Sequence, residues 1–314
     1  MKYSKENLVI YHENCFDGMT AAWLFWKVFG EENTNYHPAD YSKPGGKEIP
    51  ENQAKNIYIV DYAYSLEVLK KQAAKCEKLL VLDHHESAIK ELAGYENAIL
   101  DENKSGAGIV FQYLKTKYPH SLYANDAYLR NSLALFVHYV QDRDTWTFES
   151  PNTESFTARM ALSPMTLKDW SDLFDHFVQD EFGFLHEGKL LLQQHRNNID
   201  KFIKLNLIWI KLFGRQYPII NLPKEYGSDA CSEILKRHPE VDFAMYYFED
   251  SLSYTKGPYI GIRSRKNGPV NVRIFAEHFG GGGHPSASAF RTPLDKVRML
   301  EFEKDLYQKM LGEQ

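Results

Sequence analysis

Three apolar runs in this chain each stop on side chains that bind metal ions or move protons. Residues 8–11 (Leu-Val-Ile-Tyr) lead into His12, Glu13, Asn14, Cys15, Phe16, Asp17 and Gly18. Residues 57–60 (Ile-Tyr-Ile-Val) lead into Asp61, and residues 79–82 (Leu-Leu-Val-Leu) lead into Asp83, His84 and His85. Short runs rich in β-branched, apolar and aromatic residues read as buried strands, and the stretches between them carry helical spacing, as at 19–29. A parallel sheet built from these strands gathers their carboxyl ends along one edge, where open α/β folds place their sites. Alone, Asp83-His84-His85 is equally well explained by two solvated histidines at a strand end. With His12, Cys15, Asp17 and Asp61 delivered to the same edge, it becomes part of a ligand set rich in carboxylate and imidazole. A single thiol in that set suits Mn²⁺, or Mg²⁺ and related ions, better than a thiolate-rich structural zinc site does. A fourth apolar run, 133–141, leads into Asp142, Arg143 and Asp144. It is either an ordinary helix end or a further source of carboxylate, and either aspartate can be the one turned inward.

A second group of residues lies near the C-terminus. Gly280, Gly281, Gly282 and Gly283 precede His284, and glycine lets a ligand approach the backbone closely enough for amide groups to surround an anionic oxygen. An isolated glycine run is more often a flexible turn. Here Ile260-Gly261-Ile262-Arg263-Ser264-Arg265 stands before it, a strand-like segment with two guanidinium groups suited to bidentate phosphate recognition. Alternation along a strand puts Arg263 and Arg265 on one face, with Arg263 the first choice for a phosphate contact.

In this order the motifs resemble those of the DHH phosphoesterase superfamily. His12-x-x-Cys15-x-Asp17-Gly18, Asp61, Asp83-His84-His85 and the Asp142/Asp144 segment match its four-motif core, of the oligoribonuclease-like and RecJ-like kind. The run from Gly280 to Ala289 is similar to the glycine-rich signature of the associated DHHA1 domain. The resemblance spans nearly the whole chain. It implies an α/β fold: a doubly wound, mainly parallel sheet in the DHH domain and a second, smaller α/β DHHA1 domain. It also implies a pair of Mn²⁺ ions bridged by Asp61, with Asp17, His84 and Asp142 or Asp144 on one ion and His12 on the other. Asp83 would orient imidazoles, and His85 would face the phosphate as donor or general acid. Gly281, Gly282, Gly283 and His284 would clamp phosphate or nucleotide, with Arg263 and then Arg265 helping to bind substrate. Such an ion pair, about 3.5–4 Å apart, makes a hydroxide at neutral pH and neutralises the non-bridging oxygens of a phosphodiester.

The first motif departs from the family pattern His-x-Asp-x-Asp-Gly: one extra residue intervenes and Cys15 stands where the earlier aspartate would be. A thiol is a softer ligand and must lose its proton to bind well, so one metal position is weakened, thiolate-ligated or completed by substrate oxygens. Cys15 is equally readable as a small buried packing residue. Asn14 can serve as a neutral ligand or donor.

Other segments read as scaffold. Ser105-Gly106-Ala107-Gly108 is a cap and helix start, Ser232-Glu233 a second helix start, and Cys76 lies on a helix-like stretch. Trp146, with Tyr139 and Phe148, is a candidate base-stacking group, although buried aromatics are commoner. The N-terminal unit runs over 1–184, a connecting helix over 185–204 and the C-terminal unit over 205–314, with strands at 207–213, 217–221, 242–248 and 259–263 and a last helix from Leu294 onward. The cleft between the units is the expected site.

Composition sets the outer bounds. At 314 residues two domains are expected, and 43% apolar with 25% charged residues is an ordinary globular balance. No run approaches a membrane span or the apolar core of a signal peptide, and three unpatterned cysteines give no disulfide framework, so a cytoplasmic setting is expected. A net charge of −5 argues against wrapping long duplex DNA, whose binding rests on many basic contacts. The expected partner is a short oligonucleotide or small nucleotide, and a homodimer is compatible. Alternatives are a cyclic-dinucleotide, bisphosphate-nucleotide or polyphosphate hydrolase, or a non-catalytic nucleotide-binding module with a degraded metal site.

Overall fold

The computed structural model describes residues 3–41, 43 and 45–312. Contacts divide the chain into two units, Met1–Leu192 and Gln193–Gln314. In the first, strands β1 (Asn7–His12), β2 (Thr34–Ala39), β3 (Asn56–Val60), β4 (Lys78–Asp83) and β5 (Ala98–Leu100) form an all-parallel sheet in the order β2-β1-β3-β4-β5. The helices are α1 (Phe16–Phe29), α2 (Leu66–Ala73), α3 (Glu86–Glu91), α4 (Gly106–Lys117), α5 (Ala127–Asp144), α6 (Thr153–Met160), α7 (Leu167–Gln179) and α8 (Glu181–Asn206), within which the two units meet.

Apolar side chains fill both faces of this sheet because strand residues point alternately up and down. Val9, Tyr11, Tyr58, Val60, Leu80 and Leu82 pack with Trp23, Leu24 and Phe25 of α1, with Ile109 and Val110 of α4, and with Phe136 of α5. Leu8, Ile10, Ile57, Ile59, Leu79 and Val81 meet Leu69 of α2, Leu92 and Tyr64 on the other face. Each fully buried aliphatic or Phe side chain contributes about 1.5–3 kcal/mol. The chain leaves β1 towards β2 on one side and returns to β3 on the other. The carboxyl ends of β1 and β3 therefore flank the reversal at which such sheets open a crevice.

The second unit holds β6 (Leu207–Leu212), β7 (Arg215–Asn221), α9 (Gly227–Arg237), β8 (Phe243–Phe248), α10 (Ser253–Lys256), β9 (Tyr259–Ser264), α11 (Val272–His278), β10 (Gly282–His284), β11 (Ala287–Arg291), α12 (Leu294–Arg298) and α13 (Lys304–Met310). Its sheet runs β10-β11-β9-β8-β7-β6, with β7 and β8 parallel and the other pairs antiparallel. The two-part α/β class read from the motifs is thus observed.

Local expectations shift in several places. The helix expected at Ser232 begins at Gly227. Cys76 sits in a bend after α2, its thiol reaching back to the Gln72 carbonyl. The last helix is interrupted by a 3₁₀ turn at Met299–Phe302. No helix among the described residues is long and apolar enough to cross a membrane.

Candidate metal centre

The carboxyl ends of β1, β3 and β4 deliver His12, Asp61 and Asp83, and the following residues add Cys15, Asp17, His84 and His85. Asp144, the last residue of α5, completes the group. Three sets of potential ligand atoms lie within 4.8 Å of one another: Asp61 with Asp83, His84 and His85; His12 with Cys15 and Asp61; Asp17 with His84 and Asp144. Asp61 belongs to two sets, and His84 links a third.

Asp61 sits at the centre. Its backbone takes φ 52°, a left-handed conformation that aspartate tolerates better than most residues. Its amide still donates to the Leu82 carbonyl at 2.9 Å, so the strand ladder carries the residue to the sheet edge before the chain turns. The side chain is 1% exposed, yet neither carboxylate oxygen receives a hydrogen bond from the described residues. Instead it makes charge contacts: His12 Nδ1 lies 3.4 Å from Oδ2, and His84 Nε2 and His85 Nδ1 lie 3.2 and 3.7 Å from Oδ1. Burial alone pushes its carboxyl up, and the imidazoles of His12, His84 and His85 hold it below the usual carboxylate range instead. His12 Nδ1 is itself buried without a hydrogen-bond partner. Buried polar atoms left without partners cost free energy, and here they converge on one point. A divalent cation there would satisfy them, so the donor set fits the hard or borderline metal expected from the motifs.

Asp17 is held differently. Its carboxylate accepts N–H groups from the first turn of α4, Gly106 at 2.5 Å and Ala107 at 3.0 Å. The helix start read at Ser105 is present, with Ser105 Oγ accepting from Gly108 N, but the anion at that helix terminus is Asp17 itself. A Cβ at Gly106 would lie 2.7 Å from Asp61 Cβ and 2.9 Å from Asp17 Oδ2, so only glycine lets α4 approach this closely. His84 Nε2 is 3.4 Å from Asp144 Oδ2 and 3.9 Å from Asp17 Oδ2. Burial pushes the Asp17 carboxyl well up, reinforced by Asp144 and Asp61, and burial raises Asp144 as well. Burial opposes charge on His84, but Asp61, Asp144 and Asp17 prevail and lift it to about 10.

Asp83 divides its carboxylate: Oδ2 is buried without a hydrogen-bond partner among the described residues, Oδ1 holds the two histidines, and the residue falls within the set shared with Asp61, His84 and His85. It is wholly buried; its Oδ1 accepts the backbone N–H groups of His84 and His85 at 2.8 and 3.3 Å and the Nδ1–H of His85 at 2.7 Å. Burial would lower the His85 imidazole, but Asp83 and Asp61 raise it to about 9.

The structure departs from the expected ligands at Asp142. That side chain is 2% exposed and receives Thr147 Oγ1 (2.6 Å), Glu149 N (2.7 Å), Ser150 N (3.0 Å) and Thr153 Oγ1 (2.5 Å). Burial pushes its carboxyl up, and these bonds overcome that to hold it at about 2. Asp142 pins the turn after α5, whereas Asp144 faces His84. Cys15 lies with His12 and Asp61, but burial and the negative Asp61, Asp144 and Asp17 push its thiol well above the usual range. Of the aromatic candidates, Tyr139 is a core residue at 3% exposure, and Trp146 packs its ring under the Arg143 guanidinium at 4.4 Å and against Phe148.

In the second unit, Arg263 projects from β9. Its Nε and one terminal nitrogen donate to Ser228 Oγ (3.2 and 3.0 Å), the other terminal nitrogen to the Ile262 and Ser288 carbonyls (2.9 and 3.1 Å), and the group lies over the Tyr246 ring. Arg265 is past the strand end and departs from the expected shared face. Its fork donates to the carbonyls of Leu235, His238 and Val241 around the end of α9, so it caps a helix. The glycine run is part of the sheet: Gly282, Gly283 and His284 form β10 against β11. A Cβ at Gly281 or Gly283 would strike the β11 backbone, at Ala289 O (2.2 Å) or Ala287 O (2.6 Å), so close strand packing alone requires these two glycines.

No family model matches the chain. It is 27% identical over 298 residues to an uncharacterized protein of Acanthamoeba polyphaga mimivirus, covering 90% of this chain, and it spans 66% of that relative's length. Among solved structures, the DHH domain of a member of the s1p family of ribosomal proteins superposes with a TM-score of 0.63 at 12% identity, over 97% of this chain and 87% of that one. An exopolyphosphatase-related protein from Bacteroides fragilis gives 0.56 at 17% identity, over 98% and 94%. A pGpG-specific phosphodiesterase from Vibrio cholerae gives 0.50 at 15% identity, over 99% and 100%. The likeness is one of fold, and it agrees with the DHH resemblance of the motifs.

Proposed function

We propose that this chain, which shares the DHH fold, is a metal-dependent phosphoesterase cleaving phosphodiester bonds of short oligonucleotides or small nucleotides. The observation that carries the reading is the Asp61 carboxylate, buried with both oxygens lacking hydrogen bonds and set between the imidazoles of His12 and His84. When bound, a pair of divalent ions, Mn²⁺ or Mg²⁺, lowers the pKa of a water and neutralises charge on the phosphate. Asp61, which falls in two of the three ligand sets, would serve both positions. Asp17, His84 and Asp144 hold one, and His12 with Cys15 holds the other. Asp83 keeps His85 oriented by two hydrogen bonds, from its backbone N–H and its Nδ1–H, and His85 donates a proton to the leaving oxygen. Arg263, oriented by Ser228, contacts substrate phosphate, with the DHHA1-like glycine segment Gly281–His284 beside it in sequence order as the resemblance implies.

A second reading, a nucleotide-binding module without turnover, draws support from Cys15. Burial and the negative Asp61, Asp144 and Asp17 push its thiol well up where the family pattern has a carboxylate, and a thiol must lose its proton to bind a metal well.

The test uses chelator-stripped protein reloaded with Mn²⁺ and assayed on linear dinucleotides, cyclic dinucleotides, bisphosphate nucleotides and polyphosphate. Turnover of a nucleotide substrate, lost in Asp61→Asn while its chelated fold persists, is the expected result. Nucleotide binding without turnover on any substrate would establish the second reading instead.

A further inference from the structure

Beside the metal cluster stands an aromatic ladder that the roles above do not use. Tyr41, just past β2, stacks on Tyr62 with ring centroids 3.9 Å apart and planes at 13°, and Tyr62 in turn packs edgewise on Tyr64 at 5.2 Å. Tyr62 is wholly buried, whereas Tyr41 is 46% exposed. Exposed tyrosines are usually mobile at χ1 and χ2. This one is fixed: its hydroxyl donates to the Ala63 carbonyl at 3.0 Å and accepts the Ala63 N–H at 2.9 Å, while Tyr62 covers one ring face. The His12 ring lies 6.2 Å from Tyr41 and 6.0 Å from Tyr62, so the ladder borders the ligand set directly.

A rigid, half-exposed aromatic plane is a low-entropy stacking surface, since the ring loses little freedom when a second ring settles on it. Every nucleobase has a π-face that such a surface can take, whatever its hydrogen-bonding edge. Inorganic polyphosphate has none. Trp146 offers less, because Arg143 already lies over its ring.

We propose that the outer face of Tyr41 is a nucleobase platform next to the metal centre, making nucleoside-containing phosphodiesters, not inorganic polyphosphate, the substrate class. This rests on the phosphoesterase reading, and Tyr41 acts in it as a specificity-determining residue that engages a base without taking part in bond cleavage.

The test is binding of a non-hydrolysable dinucleotide carrying 2-aminopurine to Mn²⁺-loaded protein, followed by fluorescence, with its abasic counterpart alongside. Y41A and Y41L should weaken binding of the base-bearing probe between about five- and a hundredfold, the range of one lost base–aromatic stack. Y41F should keep most of the affinity, and the abasic probe should bind all four proteins alike. On hydrolysable dinucleotides the change should fall on KM, with kcat kept. Bound Mn²⁺ per chain, equal in wild type and variants, confirms that the neighbouring site is intact. Undiminished binding by Y41L, an equal loss for the abasic probe, or hydrolysis of polyphosphate without binding of dinucleotides would overturn the platform. Tyr41-dependent binding by a wild type that turns nothing over would instead remove the enzyme reading and leave the platform standing.

Discussion

Gly106→Ala tests how α4 and the ligand set are fitted together. The added methyl would lie 2.7 Å from Asp61 Cβ, 3.0 Å from Asp61 Cα and 2.9 Å from Asp17 Oδ2. Carbon atoms pack best at about 3.5–4.0 Å, so the helix terminus must retreat by roughly 0.8 Å or push Asp61 by as much. Gly106 and Ala107 donate to Asp17, so a retreating helix carries that carboxylate with it or loses both bonds. Overpacking costs about 1–3 kcal/mol, of which alanine's better helix propensity offsets up to about 1 kcal/mol. The net loss of stability is therefore modest. Misplacing a reacting group by about 1 Å costs on the order of a hundredfold in rate, so the functional loss should be far larger than the structural one. The assay pairs thermal unfolding in chelator with Mn²⁺ titration calorimetry and dinucleotide turnover. A variant with wild-type Mn²⁺ affinity and turnover would refute the account of α4 as the clamp on Asp17 and Asp61.

Asp144→Asn should lose bound Mn²⁺ with little change in the chelated protein's melting temperature. Asp142→Ala should lose about 2–4 kcal/mol of stability, as four hydrogen bonds to a buried carboxylate vanish, while keeping more of its metal; the opposite pattern in metal analysis would reverse the two roles. In the metal-free protein, His84 and His85 are raised to about 10 and about 9 from an ordinary 6.5, so their stabilisation is complete below pH 6.5 and disappears as pH rises through 9 to 10. Asp142, held at about 2, contributes above its ordinary 3.8 and loses that contribution as pH falls towards 2. A chelated melting temperature flat from pH 7 to 10 would contradict the histidine part. Mn²⁺ at a hundredfold excess over its Kd should add about 2.7 kcal/mol to stability, and an unchanged unfolding midpoint would count against a site formed only in the fold. Arg265→Ala should lower the melting temperature with KM kept, whereas Arg263→Ala should raise KM, as substrate titrations of both variants will show.

The strands bearing His12, Asp61 and Asp83 were legible because central parallel strands are covered on both faces and so read as unbroken apolar runs. β2 was not, since Thr34–Ala39 is an edge strand with Pro38 in it, and β5 has only three residues. β10 was hidden inside glycines, whose composition signals a turn while their missing side chains serve close strand packing. Asp142 and Asp144 share composition and neighbourhood; hydrogen bonds from Thr147 and Thr153, set by the folded turn, separate them. The clamp of Gly106 and Ala107 on Asp17 joins residues about ninety positions apart and leaves no local mark. Tyr41 and Tyr62 are likewise ordinary tyrosines until the sheet brings them face to face.

The backbone at Asp61 restricts which replacements are informative. With φ at 52°, asparagine and glycine enter without distortion, while alanine or glutamate brings a local penalty of about 1–2 kcal/mol before any ligand is lost. Conservation of charge is thus no guide at this position: glutamate keeps the carboxylate and breaks the geometry, and asparagine does the reverse. A library randomised at residue 61 should therefore sort by fold along one axis and by metal retention along another, with only the native aspartate high on both.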